Sequence, residues 1–335
     1  MSVQSAPAVS GEYQSALQRL GASIPAGGLD EPAVREAITR LLDAGELTQV
    51  TLSRESGVHQ ARLNQWLKGV YKGNTGEIAQ ALSQWLDGRA QRQATAVALP
   101  TIPDWLPTPT AERILSVLRY SHITAGLGVV YGGAGLGKTL TCEHYAATSP
   151  NVWHVEMGRW DRSMGECLLD IAKAVGLRNI LGAGRLAREI IQRLRGTGGL
   201  LLIDEAQHLG LDALEAVRAI HDQAAIGLVL LGNESVFSQL TGGSRAAEFS
   251  QLYRRVGKRQ RLDKPEARDI AMLCAAWRIE TPAIKERLRA IAEQPGGLGG
   301  VTEVLCLGHL LAHGEGEPLS ERHVQQAWID VGART

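Results

Sequence analysis

Residues 132–139 read GGAGLGKT, and no other stretch constrains this chain as strongly. They fit the spacing Gly-x-x-x-x-Gly-Lys-Thr through Gly132, Gly137, Lys138 and Thr139, with the apolar run GLGVVYG (126–132) before them. A helical pattern follows from Thr139 to Thr148. Strand, glycine-rich loop and helix in that order form a phosphate cradle. The glycines let backbone amides turn inward, and the helix amino terminus adds partial positive charge. Gly132, Gly133, Ala134, Gly135, Leu136, Gly137, Lys138 and Thr139 are therefore expected to hold the phosphates of a nucleotide. Lys138 would bridge the terminal phosphates, and the Thr139 hydroxyl would help hold Mg²⁺. An incidental lysine in a glycine-rich turn is the competing explanation; it leaves the register of Gly, Lys and Thr unaccounted for.

About sixty residues on, LLLIDE (200–205) is an apolar strand that ends in two carboxylates. Both fall at the carboxyl edge of a parallel sheet, where such folds bind ligands. Asp204 is expected to organise Mg²⁺ through its water shell, and Glu205 to orient or deprotonate the attacking water of ATP hydrolysis. Solvated acids at a strand end are the alternative. Asn233 closes the strand IGLVLLGN (226–233) at the same edge. It would hold the lytic water, or else serve as an ordinary turn residue.

The remaining pattern places these motifs. Strands at 126–132, 151–157, 200–205 and 226–233 alternate with helices at 111–121, 139–148, 164–175, 185–195 and 213–223. Continuous apolar strands between amphipathic helices predict an α/β fold: a parallel sheet with helices on both faces, over 111–264. From Pro265 only helices are predicted, near 266–277, 282–294, 301–312 and 320–331, giving an all-helical domain at 265–335. At the other end, residues 1–30 are rich in Ser, Ala, Gly and Pro and are expected to form a mobile arm, with one helix around Tyr13–Leu20. A small all-α domain is expected over 31–92. The run QATAVALPTIPDWLPTPT (93–110), with its cluster of prolines, predicts an extended linker.

Apolar residues are 44% and charged residues 21% of the 335, an ordinary globular composition. No run approaches a membrane span, the first residues lack a signal-peptide pattern, and the four cysteines have neither disulfide nor zinc spacing. These features predict a soluble intracellular protein with buried free thiols and no membrane partner.

Formal net charge is zero, so any nucleic-acid footprint must be local. The segment TQVTLSRESGVHQARLNQWLKG (48–69) places Leu52, Gly57, Val58, Leu63, Trp66 and Leu67 where a helix-turn-helix buries its core. It resembles repressor-type helix-turn-helix domains. Its second helix would present His59, Gln60, Arg62, Asn64 and Gln65 to double-stranded DNA, with Arg54, Lys68 and Lys72 adding to a local net charge of +3. A helical domain for protein contacts is the alternative. A second cluster, Arg245, Arg254, Arg255, Lys258, Arg259 and Arg261 against Glu248 alone, carries +5 over seventeen residues. It would grip phosphates without reading bases, or serve contacts between subunits.

The two carboxylate-and-phosphate motifs, the polar strand end and the helical carboxyl-terminal segment resemble an AAA+ module. The sequence DEAQHL (204–209) is similar to that of the phage Mu B transposition protein family. That resemblance implies an ATPase that assembles as a ring or helical filament on target DNA and delivers it to a transposase. It implies work on the nucleoid in the cytoplasm of a bacterial host. It also implies an arginine that completes a neighbouring subunit's site, for which Arg254 and Arg255 stand in the right place, at a helix end before a last strand. A DNA-facing patch is the other use of these arginines. Related lids often carry an arginine after a glycine turn; here Gly296-Gly297-Leu298-Gly299-Gly300-Val301 offers no basic residue. A helix-turn-helix transcriptional regulator with a signalling ATPase domain is the rival reading.

Overall fold

The computed structural model describes residues 31–236 and 256–332. The expected arm and its helix, along with Arg245, Arg254 and Arg255, lie outside the described residues. The chain divides into two compact units: residues 1–100 with 306–323, and residues 101–305 with 324–335.

The larger unit is built on a five-stranded sheet in the order β2-β3-β4-β1-β5. Its strands are β1 (Leu127–Gly132), β2 (Val152–Glu156), β3 (Leu200–Asp204), β4 (Gly227–Gly232) and β5 (Val256–Leu262), and all paired neighbours are parallel. The first four occupy the predicted strand positions. Every residue of β1, β3 and β4 is buried, as a sheet covered on both faces requires.

Side chains alternate between the faces. Val129, Ile203 and Leu230 point into a core built with α7 (Met164–Ala174), α8 (Ala183–Leu194) and α9 (Leu211–Ala224). Val130, Leu202 and Leu231 point into a second core with α5 (Pro109–Thr124) and α6 (Lys138–Thr148). Strand β5 forms an edge, and its sequence VGKRQRL alternates half-buried and exposed residues until Leu262 is buried.

The expected carboxyl-terminal helices are present as α10 (Ala267–Ala276), α11 (Pro282–Ala292), α12 (Gly297–Glu315) and α13 (Glu321–Asp330). Residue 265 is not a boundary between units, because α10, α11 and the start of α12 belong to the same unit as the sheet. One buried carboxylate joins them to it: Asp269 accepts from Thr110 N (2.9 Å) and Thr110 Oγ1 (2.6 Å) at the start of α5, and from Glu266 N (2.6 Å).

In the smaller unit, α1 (Glu31–Asp43), α2 (Gln49–Ser56), α3 (Gln60–Leu67) and α4 (Thr75–Ala98) enclose Ile38, Leu52, Leu63, Trp66, Ile78 and Leu82. Between α2 and α3, Gly57 adopts φ 73, a left-handed conformation that suits glycine. The linker expectation needs correction. Helix α4 continues to Ala98 and α5 starts at Pro109, so only 99–108 are outside helix. The stretch 93–98 contains no proline and reads QATAVA; the prolines that prevent helix begin at Pro100. Among the described residues, no helix is long and apolar enough to cross a membrane. Cys142, Cys167 and Cys274 are buried free thiols, and Cys306 is half-buried.

Candidate nucleotide site

The predicted phosphate loop joins β1 to α6, and two glycine positions there are dictated by close approach. Gly132 has φ 139, and a Cβ on it would stand 1.9 Å from the Leu262 carbonyl oxygen at the end of β5. Gly135 has φ 70, and a Cβ there would stand 1.7 Å from the Gly296 carbonyl oxygen. Gly299 N also donates to Gly135 O at 3.1 Å. The glycine turn that lacks a basic residue thus lies with its backbone against the phosphate loop.

Lys138 is 8% exposed, and its Nζ donates to the carbonyls of Gly133 (2.6 Å) and Gly132 (3.2 Å). Burial lowers its pKa, while the negative charges of Asp204 and Glu205 oppose that shift. Thr139 Oγ1 donates to Asp204 Oδ2 at 2.6 Å, so the two motifs found separately in the sequence meet in space. Asp204 is fully buried. Burial alone would raise its pKa, but the nearby His154, the Thr139 hydroxyl and the Glu205 amide (2.9 Å) together hold it below the usual carboxylate range. His154 Nε2 stands 3.7 Å from Asp204 Oδ2, beyond hydrogen-bond distance, so its influence is electrostatic. A hydroxyl beside an ionised carboxylate is an all-oxygen donor pair that fits Mg²⁺.

Glu205 follows β3 at φ 52, a left-handed position that costs a non-glycine residue about 1–3 kcal/mol. The surrounding turn over-determines it: Gln207 Nε2 donates to Glu205 Oε2, and Gln207 Oε1 accepts from Asn233 N at 3.3 Å. Asn233 is exposed, and its Oδ1 accepts from Ser235 N at 2.8 Å, the behaviour of a turn residue.

A cavity of about 390 Å³ opens over this floor. Residues 134–141 and Glu205 line one side; Asn233 does not line it. The other walls went unnoticed in the sequence: Ile102–Leu106 from the proline-rich stretch, Leu273 from α10, and Leu298, Gly299 and Thr302 from α12. Trp105 anchors the first wall. Its ring stacks on His144 at 3.8 Å and 6°, and its Nε1 donates to Thr141 Oγ1 at 3.3 Å. Thr141 in turn donates to the Gly137 carbonyl at 2.8 Å. The one available sequence signal was a tryptophan inside a supposed linker, since so large an apolar ring seeks burial.

The residues predicted to meet DNA are not all available. In the smaller unit Arg54, Gln60, Gln65, Lys68 and Lys72 are exposed and Asn64 is half-buried. Exposed His59 caps α3, its Nδ1 accepting from Ala61 N at 3.3 Å. Arg62 is engaged within its own unit, with Nε donating to Tyr71 OH at 3.1 Å and Nη2 to Glu77 at 3.4 Å. On β5, Lys258 Nζ donates to the Ser116 carbonyl at 3.1 Å, while Arg261 pairs with Glu234 and Asp263. Arg259 is exposed, on the opposite face of the strand from Lys258. The described part of the second basic cluster is therefore largely committed to its own unit.

Comparison with known proteins agrees with this geometry. Residues 122–240 match an AAA domain model, and residues 254–331 match the model for the Mu B transposition protein, C terminal. The ATP-dependent target DNA activator B of Escherichia phage Mu is 33% identical over 299 residues, covering 89% of this chain and 95% of that protein. This chain belongs to the Mu B family. Its relatives include the Mu-like prophage FluMu DNA transposition protein B of Haemophilus influenzae, 35% identical over 266 residues, with 78% of this chain and 91% of that protein covered. Among solved structures, the Aeropyrum pernix ORC2 protein aligns with a TM-score of 0.52 at 17% identity, over 67% of this chain and 66% of that one. That likeness concerns the P-loop AAA-type fold alone.

Proposed function

We propose that this Mu B family member binds and hydrolyses ATP to govern its assembly on target DNA during transposition. The observation that carries the reading is the Thr139–Asp204 contact at the floor of a glycine-lined cavity that also holds Lys138 and Glu205. The relative from phage Mu, an ATP-dependent target DNA activator, supports the same reading. Gly132–Thr139 would cradle the phosphates, with Lys138 turning from the loop carbonyls to the β- and γ-oxygens. Thr139 and Asp204 would hold Mg²⁺, which when bound neutralises phosphate charge. Glu205 would orient the attacking water and accept its proton. Trp105, Leu106, Leu273 and Leu298 supply the apolar walls that a purine base requires.

Double-stranded DNA would meet the exposed Arg54, His59, Gln60, Gln65, Lys68 and Lys72 of a helix-turn-helix formed by α2 and α3, with half-buried Asn64 beside them. ATP would drive homo-oligomer formation, with Arg254 or Arg255 of one subunit completing the next subunit's site, and a transposase would receive the DNA. The test is binding of the full chain to unrelated duplexes with and without ATP at several salt concentrations. The expected result is ATP-dependent, sequence-tolerant binding that weakens steeply with salt, because phosphate contacts dominate. Binding indifferent to ATP, or confined to one operator, would contradict the reading and favour a transcriptional regulator.

A further inference from the structure

Gln207 joins two parts of the site that the hydrolysis chemistry leaves unconnected. Its Nε2 donates to Glu205 Oε2, and its Oε1 accepts from the backbone N–H of Asn233 at 3.3 Å. These partners fix the amide's orientation, because an ionised carboxylate can only accept and a backbone N–H can only donate. Glu205 lies at the end of β3 and Asn233 at the end of β4, and the two strands are paired neighbours. Gln207 therefore spans from one strand end to the other through the short helical turn Ala206–His208.

The sequence makes room for this bridge. Gly232, the last residue of β4, has no positive φ that would call for glycine. A Cβ on it would instead stand 2.1 Å from Gln207 Oε1 and 2.6 Å from Val236 Cγ2. His208 Nε2, another polar group near the Glu205 carboxylate, is 3.9 Å away and outside hydrogen-bond distance. Glu205 lines the nucleotide cavity, whereas Gln207 does not.

We propose that Gln207 is a positioning residue, which holds the Glu205 carboxylate in its working orientation and couples it to the end of β4. A movement of β4 would then reach the water-activating group through one side-chain amide. The inference rests on the reading of Glu205 as the residue that places the attacking water. It adds a residue whose loss should leave nucleotide binding intact, since Gln207 does not line the cavity.

The experiment measures steady-state ATP hydrolysis and nucleotide binding by the full chain with Mg²⁺, comparing wild type with Gln207→Ala, Gln207→Glu, Gly232→Ala, the double variant Gln207→Ala/Gly232→Ala, and Glu205→Gln. Gln207→Ala should lower kcat on the order of 10²-fold, the scale of a small misplacement of a reacting group, with KM and nucleotide affinity unchanged. Gln207→Glu keeps the acceptor for Asn233 but sets a carboxylate against Glu205, so it should lose kcat as Ala does. A residue needed only to brace the turn against β4 would instead tolerate Glu. Gly232→Ala should reproduce the kcat loss by pushing the amide aside, and the double variant should lose clearly less than the two single losses combined, because the new methyl then has no amide to strike and only Val236 Cγ2 left to displace. Wild-type kcat in Gln207→Ala, additive losses in the double variant, or a rise in KM in place of the kcat loss would overturn the proposal. Hydrolysis by Glu205→Gln at the wild-type rate would instead remove the reading beneath it. Should Gln207→Ala not fold, Gln207→Glu and Gly232→Ala carry the same comparison.

Discussion

Asp269 is where a single substitution should most clearly loosen the α10–α12 segment from the sheet. The carboxylate is fully buried and accepts three hydrogen bonds, at 2.9, 2.6 and 2.6 Å, from the first turn of α5 and the start of α10. Both helix amino termini favour a negative charge at that point. Asp269→Ala leaves Thr110 N and Thr110 Oγ1 without an acceptor in a residue that is 1% exposed, while Glu266 N is half-buried and can turn to water. Two buried donors at about 1–3 kcal/mol each give an expected loss of about 3–5 kcal/mol. Asp269→Asn keeps an acceptor and should cost about 1–2 kcal/mol, and Thr110→Val, which removes one donor, a similar amount. Guanidinium unfolding followed by circular dichroism reads this as a fall in midpoint, with Asp269→Ala the lowest of the three. A loss under about 1 kcal/mol for Asp269→Ala, or the reverse order, would refute the assignment of this carboxylate as the joint.

Further outcomes follow from the cavity wall and the thiols. Trp105→Ala removes a ring stack and a hydrogen bond worth together about 1–3 kcal/mol. KM for ATP should therefore rise roughly ten- to a hundredfold at unchanged kcat, and an unchanged KM would remove the 102–106 wall from the nucleotide site. Burial pushes the Cys167 thiol up to about 12 and the Cys142 thiol well above its ordinary value. An alkylating reagent at mildly alkaline pH should therefore modify half-buried Cys306 first and spare Cys142 and Cys167 until the chain unfolds, as mass mapping would show.

Much of this was legible in the sequence, for identifiable reasons. Strands β1, β3 and β4 are continuous apolar runs because both faces of the sheet are covered there, and that pattern has few other meanings; β2, at one edge, is the mixed and mostly half-buried VWHVE. Strand β5 lies at the edge, so VGKRQRL carries charge where the inner strands carry Val and Leu, and its bounds could not be read. Lys138, Thr139, Asp204 and Glu205 could be named because their chemistry fixes both residue type and spacing. The cavity walls could not, since Trp105, Leu273 and Leu298 are ordinary apolar residues that only the fold brings together. Local contacts were equally hidden. By sequence Arg62 reads as a groove-facing cation, but Tyr71 and Glu77 hold it, and Lys258 is spent on the Ser116 carbonyl. The run 93–110 reads as a linker because its four prolines dominate the pattern, whereas its first six residues contain none and are helical.

The central claim is that one cavity both binds ATP and cleaves it with residues of separate duty. Parallel measurement of ATP binding and phosphate release by wild type, Lys138→Ala and Glu205→Gln tests that claim most directly. The account predicts that Lys138→Ala loses binding, because the buried ammonium at the loop is gone. It predicts that Glu205→Gln still binds ATP while phosphate release falls by on the order of 10²-fold or more, the scale of removing a general base. Full turnover by Glu205→Gln, or undiminished ATP binding by Lys138→Ala, would contradict it.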